Sequence, residues 1–162
     1  MHVQDVLMYG HRTVLNELQG LEERDTYKTG ACGVWSIKDI IAHLASYERV
    51  LVELLQTLTG AAPAETPNLD RYKSSRAFND EQVAMRAECS FDEALQEYVQ
   101  THDEVRKLMA DFPTEKLQTT GILAWYGREY DLEDFLVYSF YGHKREHSAQ
   151  IAAFKDRLAG KT

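Results

Sequence analysis

From residue 37 to residue 58, Ile37, Ile40, Ile41, Leu44, Leu51, Leu55 and Leu58 recur at helical spacing. At roughly 100° per residue they share one face. A stripe of that width on a helix this long must be buried against other helices. Ser36 precedes the segment and Asp39 follows three residues on, the pattern of a capping box. Three further segments carry the same period. Val3, Leu7, Val14, Leu18 and Leu21 predict a first helix over about 3–22, with His11 on the edge of its stripe. Phe91, Leu95, Tyr98, Val105 and Met109 predict a third, opened by a Ser90–Glu93 capping box and ended before Pro113. Leu132, Leu136, Phe154 and Leu158 predict a fourth, read as one helix from 132 to 158. Nine glycines and three prolines in 162 residues are too few for a turn-rich β fold. The expectation is a single all-α domain over 1–162, an antiparallel four-helix bundle.

Histidines stand inside these stripes. In Gly142-His143-Lys144-Arg145-Glu146-His147-Ser148-Ala149-Gln150-Ile151, His143 and His147 lie about 40° apart at 100° per residue, where leucine is expected. A buried imidazole without a partner costs about 1–3 kcal/mol. Two of them one turn apart can instead direct two nitrogens at one metal ion. His43 lies on the flank of the second helix's stripe, about 90° from its centre, and can face a neighbouring helix. Tyr47 lies above it, and Glu48 is the one acid inside that apolar arc. His102 occupies the third helix's stripe.

Two segments resist assignment. A linker at 61–68 holds two of the prolines, and 69–86 reads as short, poorly amphipathic helix or as an irregular excursion. The stretch 114–130 reads as a long connection holding Trp125, Tyr126 and Gly127.

The net charge of −8 and the pI near 5.2, without a basic stripe, disfavour nucleic acid and anionic membranes as partners. No apolar run reaches the roughly 18 residues of a membrane span. The first residues lack the basic and apolar regions of a signal peptide. Two cysteines make no disulfide framework. A cytoplasmic protein is expected.

The motifs resemble those of a known superfamily. Gly30-Ala31-Cys32-Gly33-Val34-Trp35-Ser36-Ile37-Lys38-Asp39-Ile40-Ile41-Ala42-His43-Leu44-Ala45-Ser46-Tyr47-Glu48 is similar to the second-helix signature of the DinB/YfiT-like superfamily. His143-x-x-x-His147-x-x-Gln150-Ile151 resembles its last-helix signature. Phe78-Asn79-Asp80-Glu81, Ser90-Phe91-Asp92-Glu93-Ala94, Thr101-His102 and Trp125-Tyr126-Gly127 resemble the ClbS/DfsB-like branch, associated with colibactin self-protection. The resemblance implies a four-helix bundle with a long crossover between helices 2 and 3, often as a homodimer. It implies a divalent metal, nickel or zinc, on His43, His143 and His147. It also implies a small-molecule substrate, with a low-molecular-weight thiol as a possible second partner.

Other readings stand beside these. Glu48 either orients a ligand histidine or stands in a salt bridge or on a solvated flank. Gln150 has the same two readings. Tyr47 either contacts substrate or packs. His102 and His11 are ordinary core histidines or site residues. Cys32 is a loop residue or a nucleophile favoured by the nearby helix N-terminus, and Trp35 plugs the start of helix 2. The function expected is that of a metal-dependent hydrolase or thiol transferase acting on a small electrophile. Its alternative is a metal-free protein that sequesters such a molecule.

Overall fold

The computed structural model describes residues 2–60 and 63–161. Residues 61 and 62, at the start of the expected linker, lie outside the described residues, as does Met1. The described chain is all-helical, with a lone β-bridge between Cys32 and Trp35. In order come α1 (Val3–Glu17), α2 (Glu23–Thr26), α3 (Ile37–Leu58), α4 (Pro67–Ser74), α5 (Phe78–Met85), α6 (Phe91–Ala110), α7 (Thr114–Leu117) and α8 (Leu132–Leu136). A π-helical turn (Val137–Gly142) then joins α8 to α9 (His143–Leu158). Four long elements make the bundle: α1, α3, α6 and the composite of α8, the π turn and α9. The strongest packing is α3 on α6, with α1 against α9 and the π turn. Among the described residues no helix is long and apolar enough to cross a membrane.

Capping sets the helix starts. Asp39 N–H donates to Ser36 Oγ at 3.1 Å, and Ser36 N–H donates to Asp39 Oδ2 at 3.0 Å. Ser90 and Glu93 repeat the arrangement at 3.1 and 2.9 Å. A third box, Asp131 with Asp134, opens α8 at 2.9 and 3.1 Å, although no serine or threonine marks it. Ser36→Ala is expected to lower the unfolding free energy by about 1 kcal/mol. The check is a fall in the urea midpoint with an unchanged slope.

The first helix stops at Glu17, short of the expected 22, because the chain turns through Gly20 at φ +76° before α2 begins. The crossover between α3 and α6 contains α4 and α5. Glu53 of α3 receives the Leu69 N–H at 2.7 Å and the Asn68 side-chain amide at 2.6 Å, which fixes the start of α4. Lys38 donates to the carbonyls of Arg86 and Ala87, pinning the end of α5 to α3. Leu69 and Phe78 reach the core from this crossover.

The fourth helix differs from its expected form. The π turn inserts about one extra residue, so the face downstream lags by about 100°. On α9 the buried positions are Lys144, His147, Ser148, Ile151 and Phe154. His143 moves to the edge, half-buried, and Leu158 leaves the stripe at 37% exposed. Lys144 takes the central position that a continuous helix would have assigned to His143.

Candidate metal centre

His43 hangs from α3 and His143 and His147 from the first turns of α9. Their imidazoles meet where these two helices face each other. His43 Nε2 lies 2.8 Å from His143 Nε2, and His147 Nε2 lies 2.9 Å from the same atom. One nitrogen from each ring falls within 4.8 Å of the others. The π turn immediately before His143 sets this geometry, since it determines the phase at which both α9 histidines leave the helix.

The hydrogen bonding of the three rings is incomplete as neutral imidazoles. His147 Nδ1 donates to Gln150 Oε1 at 2.8 Å, which leaves His147 Nε2 as a bare lone pair. A proton on His143 Nε2 can then satisfy one neighbour but not both. Three neutral nitrogens converging on one point, one of them held in the ligating tautomer, form a donor set that a divalent cation would complete. Burial lowers the pKa of all three rings. His43 is pushed down to about 2 by burial and by the other two histidines. His143 falls to about 3 by burial, with His147 and Lys144 adding to the effect. His147 is also lowered by burial, partly offset by Gln150 and Glu146. The rings are therefore neutral, the form that ligates.

Aromatic groups enclose the centre. Trp35 packs at 5.0 Å from His43, and Tyr47 sits 4.8 Å from His43 and 4.5 Å from His143. A polar pocket of about 260 Å³ opens beside His143, with Tyr47, Tyr72, Ser139 and Glu146 in its walls. A smaller one of about 140 Å³ adjoins Tyr47 and Tyr72 on the side of Arg76 and Asn79. Burial pushes the Tyr47 hydroxyl up to about 12, with Tyr72 adding to it and Asn79 opposing. Tyr47 thus presents an O–H at neutral pH. The segments least legible in the sequence meet here, since Tyr72 of α4 and Trp125 of the 118–131 connection pack at 6.0 Å.

Glu48 and His102 do not join the three histidines. Glu48, fully buried, forms an ion pair with Lys144, and His102 Nδ1 approaches its other oxygen at 3.4 Å. Lys144 holds the Glu48 carboxyl down at about 2 against the opposing effect of burial, with His102 assisting. His11 stacks on His102 at 3.7 Å and 9°. Gln150 reaches His147 directly. Lys144 was missed as a core residue because lysine inside Lys144-Arg145-Glu146 reads as solvated surface. The lone acid Glu48 in an apolar arc was the available signal that a buried cation opposes it. Cys32 is half-buried in the loop that its bridge to Trp35 closes.

The DinB superfamily pattern matches residues 8–151. The chain belongs to the DinB superfamily. Its fold is similar to that of a Streptococcus pneumoniae protein of known crystal structure, with a TM-score of 0.78 and 9% identity over 95% of this chain and 88% of that one. It is also similar to a structure described as sibling lethal factor precursor, DfsB, with a TM-score of 0.75 and 14% identity over 96% and 94% of the two chains. Among curated proteins no sequence relative is found. At these identities the likeness extends to the DinB bundle and no further.

Proposed function

We propose that this DinB protein binds one divalent ion, nickel or zinc, on His43, His143 and His147, and acts there on a small electrophile by hydrolysis or thiol transfer. The observation that carries the reading is the convergence of three neutral Nε2 atoms, one of them fixed in the ligating tautomer by Gln150. When bound, the ion supplies Lewis acidity that lowers the pKa of a water or thiol nucleophile. The protein residues do the rest. The tyrosine-lined pocket admits a small molecule beside His143, and the Tyr47 hydroxyl donates a hydrogen bond to it. Trp35 excludes water from the back of His43. Cys32 and Cys89 are free thiols, which suits a reducing cytoplasm.

Calorimetric titration of chelator-treated protein with zinc at neutral pH should give close to one equivalent. His147→Ala should abolish it while the fold persists by circular dichroism. Folded wild-type protein that takes up neither nickel nor zinc would defeat the reading. Turnover is tested with epoxides, activated cyclopropanes and maleyl compounds, with and without added thiols. A second reading, sequestration without turnover, draws support from the likeness to DfsB. Tight binding of these compounds with no reaction would favour it.

A homodimer belongs to the same proposal. Tyr9 and Tyr138 are 50% and 63% exposed, and Tyr9 lines an apolar groove with Val6, Val137 and Tyr141 that a second copy would cover. Sedimentation equilibrium at micromolar concentration should return twice the 18.6 kDa of the chain.

A further inference from the structure

The pocket beside His143 has a neighbour. The smaller pocket of about 140 Å³ shares Tyr47 and Tyr72 with it and is completed by Ser75, Arg76, Phe78 and Asn79. The larger one holds about 260 Å³. Neither alone reaches the roughly 300 Å³ of an ordinary ligand pocket, whereas the two joined do. The shared tyrosine rings have centroids 5.5 Å apart, and that of Tyr47 is 4.5 Å from His143. A molecule lying along this pair of rings would have one end beside His143 and the other beside Arg76.

The two ends are oppositely charged. Glu146 is the one carboxylate in the larger lining, and Arg76 is the one charged side chain in the smaller lining. The other basic residues of this stretch are committed. Arg71 donates to Glu81 through Nε at 2.7 Å and through a second nitrogen, and Lys73 lies 3.8 Å from Asp70. Arg76 pairs with no carboxylate among the described residues, and its exposure leaves it open to a ligand. The turn that carries it is nonetheless fastened. Ala77 N–H donates to Ser75 Oγ at 3.1 Å, and Ser75 Oγ donates to Glu81 of α5 at 3.0 Å. A guanidinium on a fastened turn loses less freedom on binding than one on a loose loop.

We infer that the two pockets are the ends of one site, and that the electrophile taken there carries a carboxylate, which Arg76 receives. The three-histidine reading supplies its reacting end, and the carboxylate end needs no metal. A guanidinium presents two N–H groups in the geometry of a carboxylate. One cation offsets one negative charge, and a chain of net charge −8 disfavours a dianion such as a phosphate monoester. Glu146 repels the carboxylate from the His143 end, which sets the direction in which the molecule lies. A flat, unsaturated body suits the two tyrosine rings between the ends.

Cinnamate and cinnamamide are the probes, since they share ring and double bond and differ in the charge. In ¹H–¹⁵N spectra of the full, chelator-treated chain, cinnamate should saturably shift the Arg76 Nε–H and the Asn79 amide at one end. At the other end it should shift the amides of Ser139 and Gly142. It should bind about fivefold more tightly than cinnamamide, the scale of an exposed ion pair. Arg76→Gln should erase that preference and Arg76→Lys should keep part of it, and both variants should fold, because the side chain is exposed. Phenyl phosphate should bind less well than cinnamate. The inference is overturned if cinnamate gives no saturable shift at millimolar concentration, if cinnamamide binds equally well, or if the preference survives Arg76→Gln. Tighter binding of phenyl phosphate, or shifts confined to one of the two pockets, would overturn it too. Zinc uptake is measured on the same samples. Protein that binds no zinc yet keeps the preference loses the metal reading and retains the carboxylate site. Protein that binds zinc and shows no preference loses the carboxylate site alone.

Discussion

Glu48→Ala should lower the unfolding free energy by about 3–5 kcal/mol, the cost of leaving a buried charge without its partner. Lys144 is 2% exposed, and its ammonium has no other carboxylate within reach among the described residues. The pair also ties α3 to α9, one residue beyond His143, so its loss loosens the frame on which the three histidines stand. Replacing both members, as in Glu48→Leu with Lys144→Met, removes the charge and its countercharge together. That double variant should recover most of the stability lost by either single change. Urea unfolding at neutral pH of the wild type, Glu48→Leu, Lys144→Met and the double variant completes the cycle. A loss below 1 kcal/mol in Glu48→Ala would mean that water reaches the pair.

Stability should fall steeply as pH drops below about 6.5. His11 is buried and its pKa is lowered to about 3, first by burial, then by His102 and Lys144, with Glu48 opposing and Arg106 adding slightly. Its folded pKa lies below its unfolded value, so the unfolded chain binds the proton more readily. The contribution of His11 is therefore complete above the unfolded pKa and is lost as pH falls toward 3. Between pH 7 and 5 that one group accounts for about 2 kcal/mol. His11→Phe keeps the stack on His102 and removes the titration. Its stability loss over the same interval, in chelator-treated protein, should be smaller than that of the wild type by about that amount. Equal losses in the two proteins would show that His11 already takes up a proton in the folded state.

Much of the bundle was legible because its signals are local. Ser36–Asp39 and Ser90–Glu93 announce α3 and α6, and the structure has both capping boxes. The α3 stripe is buried along most of its length. The fourth helix was legible in extent and not in phase. No residue in Val137–Gly142 marks a π turn, because the extra residue is accommodated by packing on α1 rather than by a local preference. That error hid Lys144 and put His143 at the centre of the face. The short helices α4 and α5 were legible only as an unplaced helical stretch over 69–86, and α2 and α7 escaped, for another reason. A helix of one or two turns has too little stripe to read and is held by contacts to α3 and its neighbours.

The sequence alone determined the existence of the four amphipathic elements, the serine caps of α3 and α6 and the presence of histidines in or beside their stripes, since these follow from the order of residues within a turn or two. The tertiary structure decided which inward groups meet. It drew His43, His143 and His147 to one point and sent Glu48 to Lys144 and His102 instead. His43 and His143 lie a hundred positions apart in the chain, and no local periodicity carries the angle and offset at which two helices pack.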